Sequence, residues 1–335
     1  MSNPFSIPIV LFLFKRADAL LQTIDVLRRI KASKIILVGD AGRDETEQQI
    51  VQKVRDVVVK AIDWDCVVEK RFAQTNQGVF QQIGLGAKDI LEQEGQAIFL
   101  EDDNLPEETF FPYCEYLLNK YKQDPRVLWI CGTNYLGQYQ APDHSSYLFT
   151  RQLLPCGWAS WGDKFSKYYD TDLSFLDDKA KRRALRDKYV SGALYRQQLR
   201  DAGEERRKMK QGKPPISWDY HMIMSVVRNG LYGIAPCVNQ IRNTGMDEMA
   251  THGGTNKRNI MAARLCGMPS YPLSFPLIDP AKEEIDLTFE KRISRIRIKP
   301  FWQTHWLLLK LWIRRRILHL EDGAPFSTMF KKKRH

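Results

Sequence analysis

No Cys-x-x-Cys pair occurs among the six cysteines, which lie far apart at positions 66, 114, 131, 156, 237 and 266. That spacing speaks against a zinc site and, in a chain of 335 residues, for reduced thiols in place of a disulfide framework. No run of about 18 uncharged apolar residues is present, so no membrane-spanning helix is expected. No basic region precedes the apolar run Ile9–Phe14 and no small-residue cleavage site follows it, so the N-terminus does not read as a signal peptide. Neither Gly-x-Gly-x-x-Gly after the first apolar run nor Gly-x-x-x-x-Gly-Lys-Ser/Thr anywhere is found, which removes the main support for dinucleotide and P-loop binding. Internal repeats and low-complexity blocks are absent too. What is left is an ordinary globular chain, long enough to bury a full core.

An excess of one charge is missing from most of the chain. Residues 291–335 hold 13 Lys and Arg against 2 Asp and Glu, a net +11 that equals the net charge of the whole chain. Residues 1–290 are therefore neutral, and the basicity belongs to the tail.

The first hundred residues alternate in period. Ile7–Phe14 is a continuous apolar run, expected as a central parallel strand buried on both faces. Leu20, Ile24, Leu27 and Ile30 follow at helical spacing. Ile35–Val38, Cys66–Val68 and Ala97–Leu100 read as further strands, with helices between them, one capped by Asp44 and one opened by Asn76-Gln77-Gly78. This β-α alternation predicts an α/β fold with a mostly parallel sheet flanked by helices. Beyond it, Glu107–Lys122 reads as a helix, Val127–Cys131 as a strand, Asp177–Lys213 as a charged helical segment with a solvated face, and Leu231–Ala235 as a short strand.

The fourth strand ends in Glu101-Asp102-Asp103. Three adjacent carboxylates repel one another unless something positive sits among them, and the carboxyl ends of strands are where ligands bind in open α/β sheets. Hard oxygen donors suit Mg2+ or Mn2+ shared with substrate phosphates. The triplet alone leaves two readings open, a metal–diphosphate site or an acidic loop that happens to follow a strand. The pair Trp158 and Trp161 is equally open, as sugar platforms or as core. Asp219 could be a catalytic base or a plain helix cap.

Several segments together resemble glycosyltransferases of the GT-A fold, nearest to bacterial nucleotide-diphospho-sugar transferases related to the N-acetylglucosaminyltransferases with a Glu-Asp-Asp metal motif. They are Phe14-Lys15-Arg16, Gly39-Asp40-Ala41-Gly42-Arg43, Asn76-Gln77-Gly78, Leu100–Asn104 with Pro106, Trp158–Trp161, Ser217-Trp218-Asp219 and Thr251-His252, in that order. The resemblance covers roughly residues 5–260. It implies a GT-A, Rossmann-like domain over 1–260, with a nucleotide-binding half at 1–125 and an acceptor half at 126–260. It implies that Phe14 and Arg16 meet the base and ribose, that Asp40 reads a base edge, and that Asn76 and Gly78 contact the donor. Asp103 would be the direct ligand of Mn2+ or Mg2+, with Glu101 and Asp102 on ribose or a metal-bound water and His252 reaching the metal or diphosphate. Trp158, Trp161 and Trp218 would face donor or acceptor sugar. Asp219 would be the base of an inverting transfer to a hydroxyl, with Asp163 as the fallback. The partners implied are a nucleotide sugar and a glycan or lipid-linked acceptor in surface polysaccharide synthesis. The alternative of the same fold, a sugar-1-phosphate nucleotidyltransferase, needs an early Gly-rich loop gripping a triphosphate, and none follows Phe14.

After a connection at 261–290, the tail at 291–335 is expected to be a basic amphipathic helix. Trp302, Trp306, Leu309, Ile313 and Ile317 recur on one face, with Lys310 and Arg314–Arg316 beside it. That pattern fits an anionic membrane surface, which places the protein at the cytoplasmic face of the plasma membrane, peripherally bound. Nucleic acid is not an expected partner, because the body is neutral and the tail's arginines interleave with an apolar face RNA does not need.

Overall fold

Five consecutive fully or nearly fully buried residues, Ile9–Leu13, make β1, and the computed structural model sets it at the centre of the molecule. Residues 4–245, 264–300, 306, 309 and 312–317 are described. Met1–Ile296 forms one compact unit and Arg297–His335 a second.

The first unit follows the expected alternation: β1, α1 (Ala17–Arg29), β2 (Lys34–Gly39), α2 (Glu45–Ala61), β3 (Val67–Phe72), a π-helical turn at Phe80–Leu85 running into α3 (Gly86–Glu94), and β4 (Gln96–Glu101). Asp44 caps α2 as expected, its side chain accepting from Glu47 N. Then come β5 (Asn104–Pro106), α4 (Phe110–Lys120), β6 (Val127–Cys131), β7 (Tyr147–Thr150), β8 (Trp158–Trp161) and α5 (Gly162–Tyr168). α6 (Lys179–Ala184), α7 (Gly192–Lys210), α8 (Asp219–Asn229), β9 (Tyr232–Pro236), β10 (Ile241–Asn243) and α9 (Leu287–Arg297) complete it.

Eight strands form one sheet in the order β3-β2-β1-β4-β8-β6-β9-β7. β1–β4 are mutually parallel and β6 runs parallel to β9, while β8 and β7 are antiparallel to their neighbours. The chain moves outward from β1 to β3, then returns to place β4 on the other side of β1. The order reverses there, so the crevice beyond the carboxyl ends of β1 and β4 is the topological switch point. In-register pairing of Phe12 with Glu101 brings Phe14–Arg16 and the acidic triplet to that crevice together.

Three expectations change. The charged segment 177–213 is not one helix but short turns, α6 and α7 in succession. Residues 158–161 form a buried core strand, β8, where the resemblance implied a sugar-facing tryptophan pair, and residues 147–150 form a second buried strand, β7, that the sequence reading did not include. The basic stretch from Lys291 belongs to α9, which buries Phe289, Glu290 and Ile293 against the body, so the expected boundary at 291 falls inside a helix.

Candidate active site

A cavity of about 650 Å3 opens at the switch point. Its lining gathers Phe14, Arg16, Asp40, Asn76, Gly78, the triplet Glu101–Asp103, and Trp218 and Asp219 from far along the chain.

The triplet is held by its surroundings on all sides. Asn104, 2% exposed, turns the chain after it: Oδ1 accepts from Glu101 N at 3.3 Å and from Gly157 N at 2.8 Å, and Nδ2 donates to Asp103 Oδ1 at 2.5 Å. Gly157 has φ +63, and a Cβ there would stand 2.6 Å from Ile241, so the close approach requires glycine. β5 then pairs antiparallel with β10, which brings Thr244 N to Asp103 O at 2.8 Å and lays Gly245 over the carboxylate. A Cβ at Gly245 would lie 2.3 Å from Asp103 Oδ2.

Among the described residues one guanidinium pairs with two of the three acids. Arg16 NH1 donates to Asp102 Oδ1 at 3.0 Å and lies 3.6 Å from Asp103 Oδ2, while NH2 donates to Gly245 O at 3.3 Å. Lys15 N reaches Asp102 Oδ2 at 3.3 Å. This is too little positive charge. Burial, with the fields of Asp103, Asp102 and Asp219 added to it, pushes the Glu101 carboxyl well above its usual range. Burial and Asp102 together raise Asp103 to about 6, and burial raises Asp102 despite its Arg16 partner. Among the described residues no three His, Cys, Asp or Glu side chains converge as a ready-made metal cage. The residues do fit an ion held through one or two carboxylates and completed by substrate phosphates and water, which is how Mg2+ is usually bound. A divalent cation would supply the charge that Arg16 alone does not.

Asp40 departs from expectation. Its Oδ1 accepts from Ala41 N and Gln77 N at 2.9 and 2.8 Å, and its Oδ2 from Gly78 N and Asn76 Nδ2 at 2.8 and 3.1 Å. Four donors fill a carboxylate's acceptor capacity. Asp40 therefore holds the 76–78 turn, with Gly78 at φ +82, against the end of β2 and has no edge left for a base. Asn76 is engaged in the same strut, its Nδ2 also donating to Ala41 O at 2.7 Å.

Trp158 and Trp161 are corrected as well. Both are 1% exposed and offer no face to a sugar. Trp158 stacks on Phe99 and Trp129 at 4.0 and 4.3 Å, and Trp161 donates to Leu118 O on the opposite face of the sheet. Trp218 is 4% exposed and lines the cavity at the end of that aromatic column, 5.7 Å from Trp158.

Asp219 opens α8 and lines the same cavity as the triplet, close enough for its charge to add to the shift of Glu101. Ser217 does the capping: its Oγ accepts from Tyr220 N at 3.3 Å and donates to Asp219 Oδ1. Among the described residues the other Asp219 oxygen carries no such bond. Asp163 is exposed on α5 and does not line the cavity, so it drops out as the fallback base. His252 lies outside the described residues.

Residues given no role from the sequence also stand here. Asn104 and Gly245 position the triplet, and Asn243 Nδ2 donates to Cys156 Sγ at 3.4 Å beside it. Glu47 accepts from Lys15 Nζ and three Arg43 N–H groups, fixing the rim near Phe14. Buried Glu205 of α7 lines the cavity near Asp219 and accepts from Ile216 N at 2.8 Å. Only Asn104, directly behind three acids, gave a signal in the sequence.

No known family profile matches the chain and no curated protein matches it in sequence. Among solved structures it is similar in part to a mannosyltransferase from Pyrobaculum calidifontis in complex with GDP-Man and Mn2+, at 12% identity and a TM-score of 0.36, over 68% of this chain and 70% of that one. It is similar at 9% identity and a TM-score of 0.34 to UDP-glucose pyrophosphorylase complexed with UDP-glucose, over 71% of this chain and 91% of the other. A 4-diphosphocytidyl-2C-methyl-D-erythritol synthase from Anaerococcus prevotii follows at 11% and 0.31, over 52% and 78%. Likenesses this distant carry no argument about activity, which rests on the cavity itself.

Proposed function

We propose that the protein is a glycosyltransferase that moves a sugar from a nucleotide-diphosphate donor to a hydroxyl of a glycan or lipid-linked acceptor. One observation carries the reading: a single cavity is lined by three buried carboxylates short of positive charge, by Arg16 and by Asp219. We assign the donor diphosphate to the triplet and the acceptor hydroxyl to Asp219.

Asp219 takes the proton from the acceptor hydroxyl, which attacks poorly without a base. The acceptor oxygen forms its bond to the anomeric carbon as the bond to the diphosphate breaks, and the electron pair leaves with the phosphate. Attack from the side opposite the leaving group inverts the configuration. Asp103 would hold Mn2+ or Mg2+ together with the donor, and the ion would supply positive charge for the leaving diphosphate. Arg16 adds a fixed positive charge from the protein, and Ser217 holds Asp219 in place. A sugar-1-phosphate nucleotidyltransferase would need a triphosphate-gripping loop after β1, and Phe14–Ala17 contains no glycine.

The tail is proposed to hold this chemistry at an anionic membrane surface. Trp306, Leu309, Trp312 and Ile317 are exposed, at spacings that share one helical face. No helix among the described residues is long and apolar enough to cross a membrane.

The test of the donor reading is thermal stabilisation by a panel of nucleotide sugars with and without Mn2+, since a ligand bound only by the folded state raises the midpoint by mass action. Stabilisation by at least one donor, dependent on Mn2+, is expected. A flat response across the panel contradicts the reading.

A further inference from the structure

The balanced charge of residues 1–290 conceals a segregation. Residues 179–213 hold thirteen Lys and Arg against four Asp and Glu, a net +9. The rest of the body carries the opposite excess. The positive segment is α6, α7 and their links, joined by the Tyr195 hydroxyl donating to Arg182 O at 3.1 Å.

Part of this charge is structural. Arg206 and Lys210 pair with Asp177, and Arg200 with Asp201. Lys179, Lys181, Arg183 and Arg196 are different. All four are exposed, and no ion pair engages them among the described residues. Three of these like charges lie within the six residues of α6 and the fourth on α7, a density whose mutual repulsion a bound anion would relieve.

The segment is also continuous with the cavity. α7 supplies Glu205 to the cavity wall, Ile216 N is tied to it, and the Tyr220 hydroxyl donates to Asp201 at 3.3 Å. α7 therefore runs from the cavity wall at Glu205 and Asp201 back to exposed Arg196, and α6 is tied to it there.

We propose that α6 and α7 form the docking face for a polyanionic acceptor, a glycan chain bearing repeated phosphate or carboxylate groups, whose hydroxyl end enters the cavity at Asp219. The inference rests on the transferase reading above and names its acceptor class. A bilayer is the wrong occupant, because no large apolar side chain is exposed between Tyr116 and Ile216 to enter one. A nucleic acid is disfavoured for a related reason: Tyr189 is buried and Tyr195 half-buried, so no open aromatic platform is offered for base stacking.

The experiment uses the full chain. Binding of labelled oligogalacturonate, inorganic polyphosphate and a neutral malto-oligosaccharide of matched length is followed by fluorescence anisotropy. The two anions separate carboxylate from phosphate as the group recognised. At least one anion is expected to bind in a salt-dependent way, with affinity falling about tenfold or more when Lys179, Lys181, Arg183 and Arg196 are changed to Glu, and by less when they are changed to Gln. In the wild-type protein, which needs no variant to fold, the bound anion is expected to shield Lys179 and Lys181 from acetylation. Unchanged affinity in the Glu variant, shielding confined to Lys331–Lys333, equal binding of the neutral glycan, or displacement of the anion by an RNA oligomer at lower concentration each overturns the proposal. Stabilisation by nucleotide sugar and Mn2+ is measured on the same preparations. Its absence from the wild type counts against the transferase reading, whatever the anion does.

Discussion

Asp103 carries an electrostatic cost inside the fold, since burial and Asp102 raise its carboxyl. A carboxyl raised from its ordinary 3.8 to about 6 binds more protons folded than unfolded between those values, so its contribution to stability is present at low pH and is lost as pH rises through that window. At neutral pH the cost is on the order of 3 kcal/mol, shared with its coupled neighbours. Asp103→Asn is therefore expected to raise the melting temperature of the metal-free protein at pH 7.5, with the gain vanishing near pH 4, while donor turnover is lost. A melting temperature unchanged or lowered at pH 7.5 contradicts the electrostatic account of the triplet. Gly245→Ala acts on the same atoms from the other side. With a Cβ 2.3 Å from Asp103 Oδ2, either the carboxylate or the β10 end must move, and turnover is expected to fall by about tenfold or more. For Asp219 the expectation is a split: Asp219→Asn should leave the donor dissociation constant within about twofold and cut kcat by about a hundredfold or more. Near-normal kcat would reduce Asp219 to a helix-terminus residue.

The elements were legible where their period was long. β1, β2 and β4 are continuous apolar runs, and α1 to α3 carry apolar residues at helical spacing, so the nucleotide-side half of the sheet could be read from the sequence. β7 and β8 could not, because four-residue strands buried on both faces have no period to detect. Trp158 and Trp161, three residues apart in β8, point to opposite faces of the sheet, and both faces there are covered. Composition alone cannot say whether such a ring meets a sugar or a phenylalanine. The triplet and Asp219, which the sequence singled out, both line the cavity. The roles of Asp40 and Gly245 depend on contacts 36 or more residues away and left no local mark. α9 is a similar case. Its Glu290, 2% exposed, accepts from Thr150 Oγ1, Arg151 N and Gln152 Nε2 at 2.6, 2.6 and 2.8 Å. Glu290→Ala removes the acceptor of all three bonds and is expected to lower stability by roughly 3 kcal/mol in denaturant unfolding, without changing kcat of the folded fraction. A loss below about 0.5 kcal/mol would mean that water replaces the carboxylate freely.

At the scale of the whole molecule, charge is sorted along the chain into three adjacent acids at the switch point, a net +9 over residues 179–213 and a net +11 over residues 291–335. The tail is expected to bring the full chain down with anionic liposomes at low salt and to release it at high salt, whereas a chain ending at Lys299 stays in the supernatant. If both remain soluble at low salt, the exposed Trp306 and Trp312 serve some other contact. The central claim is that donor chemistry at the switch point depends on a divalent ion held with the diphosphate. The measurement that tests it most directly is release of nucleoside diphosphate from the donor that stabilises the protein, followed with Mn2+, after EDTA, and after Mn2+ is restored. Release that stops in EDTA, returns with Mn2+ and is absent in Asp103→Asn is the predicted result. Undiminished release in EDTA would contradict it.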